Sequence, residues 1–187
     1  MGSVLFSLAY TVVFIVVFVD LLSRGKGDSQ QAQKYDQGST LLMAAATVGS
    51  LALLPFFAAA PLLAVQSPFF VWTGVSLEAV GILLRVWARA TLGRYYTLTL
   101  KTTSKQSLVD WGPYRRVRHP GYLGYLLMWI GIGAVSTSVI AVAAVFVLTG
   151  SAYVYRINNE EELLRAALGE SYEEYAKRTD RLVPFIY

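Results

Sequence analysis

The stretch "GPYRRVRHPGYLGYLLMWIGIG", residues 112–133, passes without a break from a basic loop into hydrocarbon. Three arginines and the only histidine of the chain precede Pro120, and the residues that follow are almost all apolar. Proline suits the first turn of a helix, because the N–H that it lacks would have no partner there. The pattern therefore predicts that a loop becomes an apolar helix at His119-Pro120.

The composition of the whole chain favours a membrane protein. Of its 187 residues, 55% are hydrophobic and 15% are charged, whereas a soluble domain carries about 25% charged residues. The chain has no cysteine and a single histidine, which argues against disulfides, a cysteine nucleophile and a structural zinc site. We therefore expect no bound metal.

Long apolar segments account for most of the chain, and about 20 residues suffice to cross a bilayer as a helix. The segments are Val4–Leu22, Thr40–Val65, Phe69–Leu92 and Pro120–Tyr155. The last is too long for one span and short for two, so we expect a tight hairpin of two short helices. The polar remainder has the apolar spacing of amphipathic helices. The predicted fold is an all-α polytopic membrane protein with about five transmembrane helices and cytosolic C-terminal amphipathic helices.

The chain divides by composition after the third span. Residues 1–92 are predicted to hold three transmembrane helices, and residues 93–187 a cofactor-binding loop, the transmembrane hairpin and the C-terminal helices, all in one integrated membrane domain. All 16 Lys and Arg fall on one side of the bilayer if the N-terminus lies outside. Because basic residues favour the cytoplasmic side, we expect a multi-pass integral membrane protein with its active site facing the cytoplasm. Its positive charge then meets lipid headgroups rather than nucleic acid.

The basic loop itself has two possible roles. A helix N-terminus presents free N–H groups and the positive end of a dipole, which suits a carboxylate or phosphate. The alternative is an interfacial belt of arginines and aromatic anchors at the headgroups. The residues of that belt would be Tyr114, Arg115, Arg116, Arg118 and Tyr122.

Two further polar groups lie inside or beside the predicted spans. Arg156 follows the last span and lies one helical turn before Glu160, so both can share a helix face; the alternative is a solvated helix start. Glu78 lies within the third span, with Arg85 and Arg89 roughly on the same face. Ionic groups are costly at this depth. We therefore expect Glu78 to form an internal ion pair, or to face the bundle interior or a polar cavity.

Two longer stretches resemble a known family. They are "SLVDWGPYRRVRHPGYLGYLLMWIG" (107–131) and "EEELLRAALGESYEEYAKRTDRLVP" (160–184). The motifs L-V-x-x-G-x-Y, R-H-P-x-Y-x-G, E-E-x-L-L, G-x-x-Y-x-x-Y and R-x-x-P resemble, in this order, those of isoprenylcysteine carboxyl methyltransferases, which are integral-membrane enzymes. The resemblance runs from about Leu92 to the C-terminus. The R-H-P-x-Y part also recurs in phospholipid N-methyltransferases, thiol S-methyltransferases and membrane sterol reductases.

The resemblance implies S-adenosyl-L-methionine as cofactor, in a pocket built from residues 106–122 and the C-terminal helices. The residues that would line its nucleoside are Gln106, Ser107, Leu108, Val109 and Tyr114. Those that would surround its methionine end are His119, Pro120, Gly121 and Tyr122, with Glu160 as a further cofactor contact. Arg156 takes the place of the arginine that orients the substrate in the family. At position 106 the family often has histidine, so Gln106 departs from the pattern.

The resemblance and the chemistry of the residues together predict a membrane methyltransferase that uses S-adenosylmethionine. Its expected partners are membrane lipids and a lipophilic or prenylated acceptor. A prenylcysteine-type carboxylate is the simplest acceptor, because it is already ionised and needs no general base. One alternative is a phospholipid N- or thiol S-methyltransferase on the same scaffold. The others are an NADPH-dependent sterol-type reductase and a non-enzymatic membrane protein.

Overall fold

The computed structural model describes residues 2–22, 35–59, 63–93 and 108–184, and the regular elements in these ranges are helices. In chain order they are α1 (Gly2–Leu22), α2 (Ser39–Ala59), α3 (Pro68–Leu92), α4 (Pro120–Val135), α5 (Val139–Leu168) and α6 (Glu170–Lys177). A short 3-10 helix, Gly112–Arg115, precedes α4.

Helices α1, α2, α3 and α5 are long and apolar enough to cross a membrane. Helix α4 is also apolar but has only 16 residues. The predicted all-α polytopic membrane fold is therefore confirmed.

The second arm of the predicted hairpin is not short. Helix α5 runs for 30 residues without a break, from the apolar arm into what was predicted as a separate amphipathic helix. The Ser138 hydroxyl caps its start by accepting a backbone N–H at 3.2 Å. Gly169, at a φ of 55°, ends it. No proline lies between these caps, so the charged residues continue the helix and Arg156 and Glu160 lie on a membrane helix.

The two turns that lack basic residues meet at one end of the bundle. The backbone N–H of Val65 donates to Thr137 at 2.8 Å, and that of Val139 donates to Leu63 at 3.4 Å. Residues 63–65 thus pair with the other turn instead of extending α2, which ends at Ala59, before the end of the apolar segment. The opposite end, called here the charged end, comprises the ends of α1 and α3, the starts of α2 and α4, and the middle of α5.

Glycines let α3 and α4 pack closely, since they place no side chain where the two backbones meet. Gly74 and Gly81 of α3 face Gly131 and Gly124 of α4. A Cβ at Gly131 would lie 2.5 Å from the backbone nitrogen of Glu78. Small residues at such contacts are a common means of close approach between membrane helices. This pair positions the start of α4, where the histidine lies.

We expect Gly131→Ala to lower the thermal stability of the purified protein. The added Cβ would overlap the α3 backbone, and overpacking of this kind costs about 1–3 kcal/mol. Gly150→Ala is the matched control, because nothing lies within 4 Å of a Cβ at that position and alanine favours a helix. Melting in detergent measures both variants, and equal melting temperatures would contradict the close contact.

Candidate active site

The histidine lies where the loop becomes a helix. His119 is the residue that precedes α4, and Pro120 opens its first turn, which confirms the predicted helix start. Both residues are buried. The charged end therefore contains a helix N-terminus, whose N–H groups and dipole attract negative charge.

A C-terminal segment holds the histidine loop in place. The backbone N–H of Arg118 donates to Asp180 at 2.8 Å, and that of His119 donates to Arg181 at 3.2 Å. The Arg118 side chain adds hydrogen bonds to carbonyl oxygens at the end of α6 and just beyond it. These contacts bring together the loop and the C-terminal helices from which the cofactor pocket is predicted.

Glu161 is the centre of this assembly. Its side chain is 1% exposed and forms ion pairs with Arg118 at 2.9 Å, Arg165 at 3.3 Å and Arg181 at 3.1 Å. His119 Nε2 lies 3.3 Å from the same carboxylate. Because a carboxylate can only accept, this ring nitrogen carries the proton. Glu161 thus joins the loop, α5 and the C-terminal segment through one buried negative charge.

Tyr114 provides a second connection between the loop and the C-terminal helices. It is buried on the 3-10 helix, and its carbonyl accepts a hydrogen bond from the Tyr175 hydroxyl of α6 at 2.7 Å. Burial raises the pKa of Tyr175. The hydroxyl therefore stays protonated and remains a donor.

Four rings form a column through the charged end. In order they are His119, Tyr122, Tyr153 and Tyr125, and successive ring centroids lie 5.8, 5.6 and 6.1 Å apart. The guanidinium of Arg85 covers the last ring at 3.5 Å from its centroid. This aromatic column joins α4 to α5 and runs from the histidine loop into the centre of the bundle.

Arg156 and Glu160 lie on one helix face, as predicted, and both bind Tyr122. The Tyr122 hydroxyl donates to Glu160 at 2.8 Å and accepts from Arg156 Nε at 3.3 Å. One tyrosine thus connects the residue predicted to contact the cofactor with the residue predicted to orient the acceptor.

The start of α2 closes over Arg156, which is 1% exposed. Its NH1 donates to Asp36 at 2.7 Å, Ser39 at 2.9 Å and Thr40 at 3.0 Å. Burial by itself raises the pKa of Asp36, but the hydrogen bonds of Thr40 and the charge of Arg156 hold it below its usual value. Asp36 is therefore ionised at neutral pH and neutralises Arg156.

The two arginines that were expected to pair with Glu78 bind a different carboxylate. Arg85 and Arg89 bind Asp20, near the end of α1, at 2.7 and 2.9 Å. The Tyr125 hydroxyl donates to Asp20 as well. Residues seven apart on a helix are separated by about 10 Å along its axis, so Glu78 and Arg85 share a face but not a contact. Of the two expectations for Glu78, the ion pair with Arg85 or Arg89 is not found, because a carboxylate on another helix binds both arginines. Glu78 is buried in the bundle, as the second expectation had it.

An apolar cavity of about 380 Å³ lies between α1 and α2. Its apolar wall includes Phe14, Val17, Phe18, Met43, Ala44 and Leu51, and its other lining residues include Asp20, Thr40, Tyr125 and Tyr153. Thr40 lines the cavity and also binds Arg156. One polar residue of the cavity wall is therefore a direct hydrogen-bond partner of Arg156, which does not itself line the cavity.

The other predicted site residues have different positions. Leu108 and Val109 are partly buried shortly before the 3-10 helix. The carbonyl of Gly121 accepts a hydrogen bond from Arg85 at 3.4 Å. Gln106 and Ser107 lie outside the described residues.

Three carboxylates that organise the charged end were not singled out from the sequence: Asp20, Asp36 and Glu161. Asp20 could have been recognised, since it is the only charged residue of the predicted first span and an ionic group within a membrane span is energetically unfavourable unless it is paired. Glu161 was hidden in a run of three glutamates. Asp36 lies in a polar loop and carried no signal.

The sequence matches a family and several relatives. The family model described as "Isoprenylcysteine carboxyl methyltransferase (ICMT) family" matches residues 74–166. A "Probable protein-S-isoprenylcysteine O-methyltransferase" of Oryza sativa subsp. indica is 31% identical over 120 residues, which are 63% of each chain. The "Cobalt-zinc-cadmium resistance protein CzcN" of Cupriavidus metallidurans is 33% identical over 111 residues, 59% of this chain and 46% of that protein. The chain thus spans less than two thirds of the length of either relative.

A solved structure has a similar fold. It is that of a eukaryotic intramembrane Ras methyltransferase, isoprenylcysteine carboxyl methyltransferase, and it superposes with a TM-score of 0.61 at 23% identity. The superposition covers 86% of this chain and 55% of that one. The structural similarity therefore extends beyond the residues that the family model matches.

Proposed function

We propose that the chain is a member of the isoprenylcysteine carboxyl methyltransferase family and transfers a methyl group from S-adenosylmethionine to the carboxylate of a prenylcysteine-type acceptor. One observation carries this proposal. Tyr122 binds Glu160 on one side and Arg156 on the other, and Arg156 contacts Thr40 on the wall of an apolar cavity. Residues suited to a charged cofactor thus adjoin a space suited to a lipid chain.

The residues at the histidine loop fit S-adenosylmethionine, which supplies a methyl group on a positively charged sulfur when bound. The Glu160 carboxylate suits the ammonium group of its methionine end, and the α4 N-terminus suits the carboxylate. His119 Nε2 is already bound to Glu161, so that nitrogen orients the loop rather than the cofactor. Tyr114, with the partly buried segment before it, would line the nucleoside.

The acceptor chain would occupy the cavity between α1 and α2. Its volume of about 380 Å³ falls in the range of small-molecule pockets, and its wall is largely hydrocarbon. Arg156 lies directly behind Thr40 of the cavity wall, and a guanidinium can hold a carboxylate through two parallel hydrogen bonds. An acceptor carboxylate held there would lie beside Tyr122, which also binds Glu160.

The chemistry requires alignment more than proton transfer. Methyl transfer is an in-line displacement, and a carboxylate is already ionised at neutral pH. An amine or thiol acceptor would first have to lose a proton, and the candidate bases are His119, Glu160 and Glu78. The first two are engaged in hydrogen bonds, and Glu78 lies within α3 and does not line the cavity. A carboxylate acceptor is therefore favoured over an amine or a thiol. The relative from Cupriavidus, which is named for resistance to cobalt, zinc and cadmium, carries no information on the acceptor in its name.

The charged end would face the cytoplasm. The basic residues of the described helices lie at or beyond that end, and the turns at the other end have none. Basic residues favour the cytoplasmic side of a membrane. This orientation places the cofactor site in contact with the cytoplasmic supply of S-adenosylmethionine.

We expect Ala44→Phe to raise the acceptor KM about tenfold or more, because the added ring fills the cavity where the acceptor chain would lie. The dissociation constant of S-adenosylhomocysteine should stay unchanged, since Ala44 is not among the predicted cofactor residues. Ala45→Phe is the matched control, because Ala45 is exposed on α2 and does not line the cavity. Equal acceptor KM values for the two variants would remove the cavity from the acceptor site.

The proposed function is tested by calorimetric titration of the detergent-purified protein with S-adenosylhomocysteine, with NADPH titrated in parallel. Saturable binding of S-adenosylhomocysteine without a response to NADPH is the expected result. Binding of NADPH alone would replace the methyltransferase with a reductase that uses the same loop.

A further inference from the structure

Arg156, proposed to orient the acceptor carboxylate, already binds a carboxylate. Asp36 Oδ1 lies 2.7 Å from its NH1. Asp36 lies just before α2, whose first turns contribute Thr40, Met43 and Ala44 to the wall of the acceptor cavity. An internal group thus has the chemistry and the place that the acceptor headgroup needs.

The backbone around Asp36 is held independently of its side chain. Asn159 donates to the Asp36 carbonyl at 3.0 Å, and the Tyr155 hydroxyl donates to the Gln37 carbonyl at 2.9 Å. Gln37 and Gly38 both have positive φ, 43° and 78°, so the chain turns sharply between Asp36 and α2. The carboxylate can therefore leave Arg156 while α2 stays anchored to α5.

The exposure of the two partners is unequal. The Asp36 side chain is 24% exposed and that of Arg156 is 2% exposed. Asp36 can take up water when it is released, whereas a buried guanidinium without a counter-charge is strongly unfavourable. Glu160 also acts on Arg156 through its charge, but Asp36 forms the ion pair, so a ligand with its own negative charge replaces Asp36 at the lowest cost.

We infer that Asp36 is a specificity-determining residue, an internal carboxylate that occupies Arg156 until the acceptor carboxylate displaces it. The inference rests on the proposed function and adds to it the charge rule for the acceptor. The ligand class selected is an amphiphile with an apolar chain and a terminal carboxylate. A neutral headgroup does not displace Asp36 as readily, because Arg156 would lose this 2.7 Å ion pair and keep only the charge of the neighbouring Glu160.

The test is Asp36→Asn, whose amide oxygen can still accept from Ser39 and Thr40. The acceptor is an S-farnesylated cysteine derivative with a free carboxylate. Its KM should fall about fivefold in the variant, because removal of an internal competitor raises the fraction of binding-competent protein. The kcat and the dissociation constant of S-adenosylhomocysteine should stay within about twofold of wild type. The carboxamide analogue, used as an inhibitor, should gain less affinity than the carboxylate, because a neutral headgroup binds wild type without displacing Asp36 and so has less displacement cost to lose.

Two further variants provide a second test and a control. Ser39→Ala removes a hydroxyl that contacts both Asp36, at 3.1 Å, and Arg156, at 2.9 Å, so it should lower the acceptor KM by a smaller factor. It also decides the matter if Asp36→Asn fails to fold. Glu173→Gln removes an equal charge from an exposed ion pair on α6 and should leave the KM unchanged.

The inference is overturned if Asp36→Asn, or in its place Ser39→Ala, leaves the carboxylate KM unchanged or raises it. Equal tightening of carboxylate and carboxamide would also overturn it, since charge would then play no part. These outcomes require an active wild-type protein. A wild-type protein that methylates no carboxylate acceptor refutes the proposed function instead, so the two failures are distinguishable.

Discussion

Glu161→Gln is expected to lower the melting temperature of the purified protein by about 10 °C, and to reduce its folded yield accordingly. The carboxylate is 1% exposed and compensates Arg118, Arg165 and Arg181. Removing one partner of a buried ionic cluster leaves uncompensated charge, which costs about 3–5 kcal/mol. The NH2 group of the glutamine side chain would also face the N–H groups of the arginines, and two donors cannot form a hydrogen bond. Melting in detergent followed by tryptophan fluorescence measures the effect.

The neighbouring residue provides the matched control. Glu160 is partly buried and accepts a hydrogen bond from the Tyr122 hydroxyl. The side-chain oxygen of a glutamine can still accept this hydrogen bond. Glu160→Gln should therefore keep the wild-type melting temperature but weaken S-adenosylhomocysteine binding about tenfold, as a charged hydrogen bond would be lost. If Glu160→Gln melted early and Glu161→Gln did not, the roles assigned to the two glutamates would be reversed.

Arg156→Gln is expected to reduce kcat/KM for the acceptor about 100-fold, because a misplaced reactant loses this much rate. The glutamine side chain can still donate a hydrogen bond to Asp36, so the segment before α2 keeps one of its contacts to α5. The dissociation constant of S-adenosylhomocysteine should change little, since Glu160 and the histidine loop remain. Steady-state methylation with varied acceptor, together with calorimetry, separates the two effects.

Lys177→Gln is the control for loss of one positive charge, because Lys177 is an exposed residue at the end of α6. It should leave both constants unchanged. An Arg156→Gln protein that loses cofactor affinity and acceptor use to the same extent would refute the division between an acceptor arginine and a cofactor glutamate.

The helices were largely predictable because each depends on a local pattern. Apolar length gave the first and third spans, and His119-Pro120 gave the start of α4. The uninterrupted α5 was missed because the change from apolar to charged residues was taken as a boundary. No proline interrupts this helix, and it ends only at Gly169, whose φ is positive.

The networks of the charged end were not predictable in the same way. Asp20 pairs with Arg85 across 65 positions, and Asp36 pairs with Arg156 across 120. Helical periodicity gives the face on which a side chain lies but not the helix that packs there. It correctly placed Arg156 and Glu160 together, yet it paired Glu78 with arginines that bind another helix.

The most direct test of the central claim is methyl transfer by the wild-type protein in lipid nanodiscs. The protein is incubated with methyl-labelled S-adenosylmethionine and an S-farnesylated cysteine derivative, and the product is then treated with base. A carboxyl methyl ester releases its label as volatile methanol, so we predict label that depends on the acceptor and is lost in base. Base-stable label on an amine or thiol acceptor, or no transfer to any acceptor, would contradict the account.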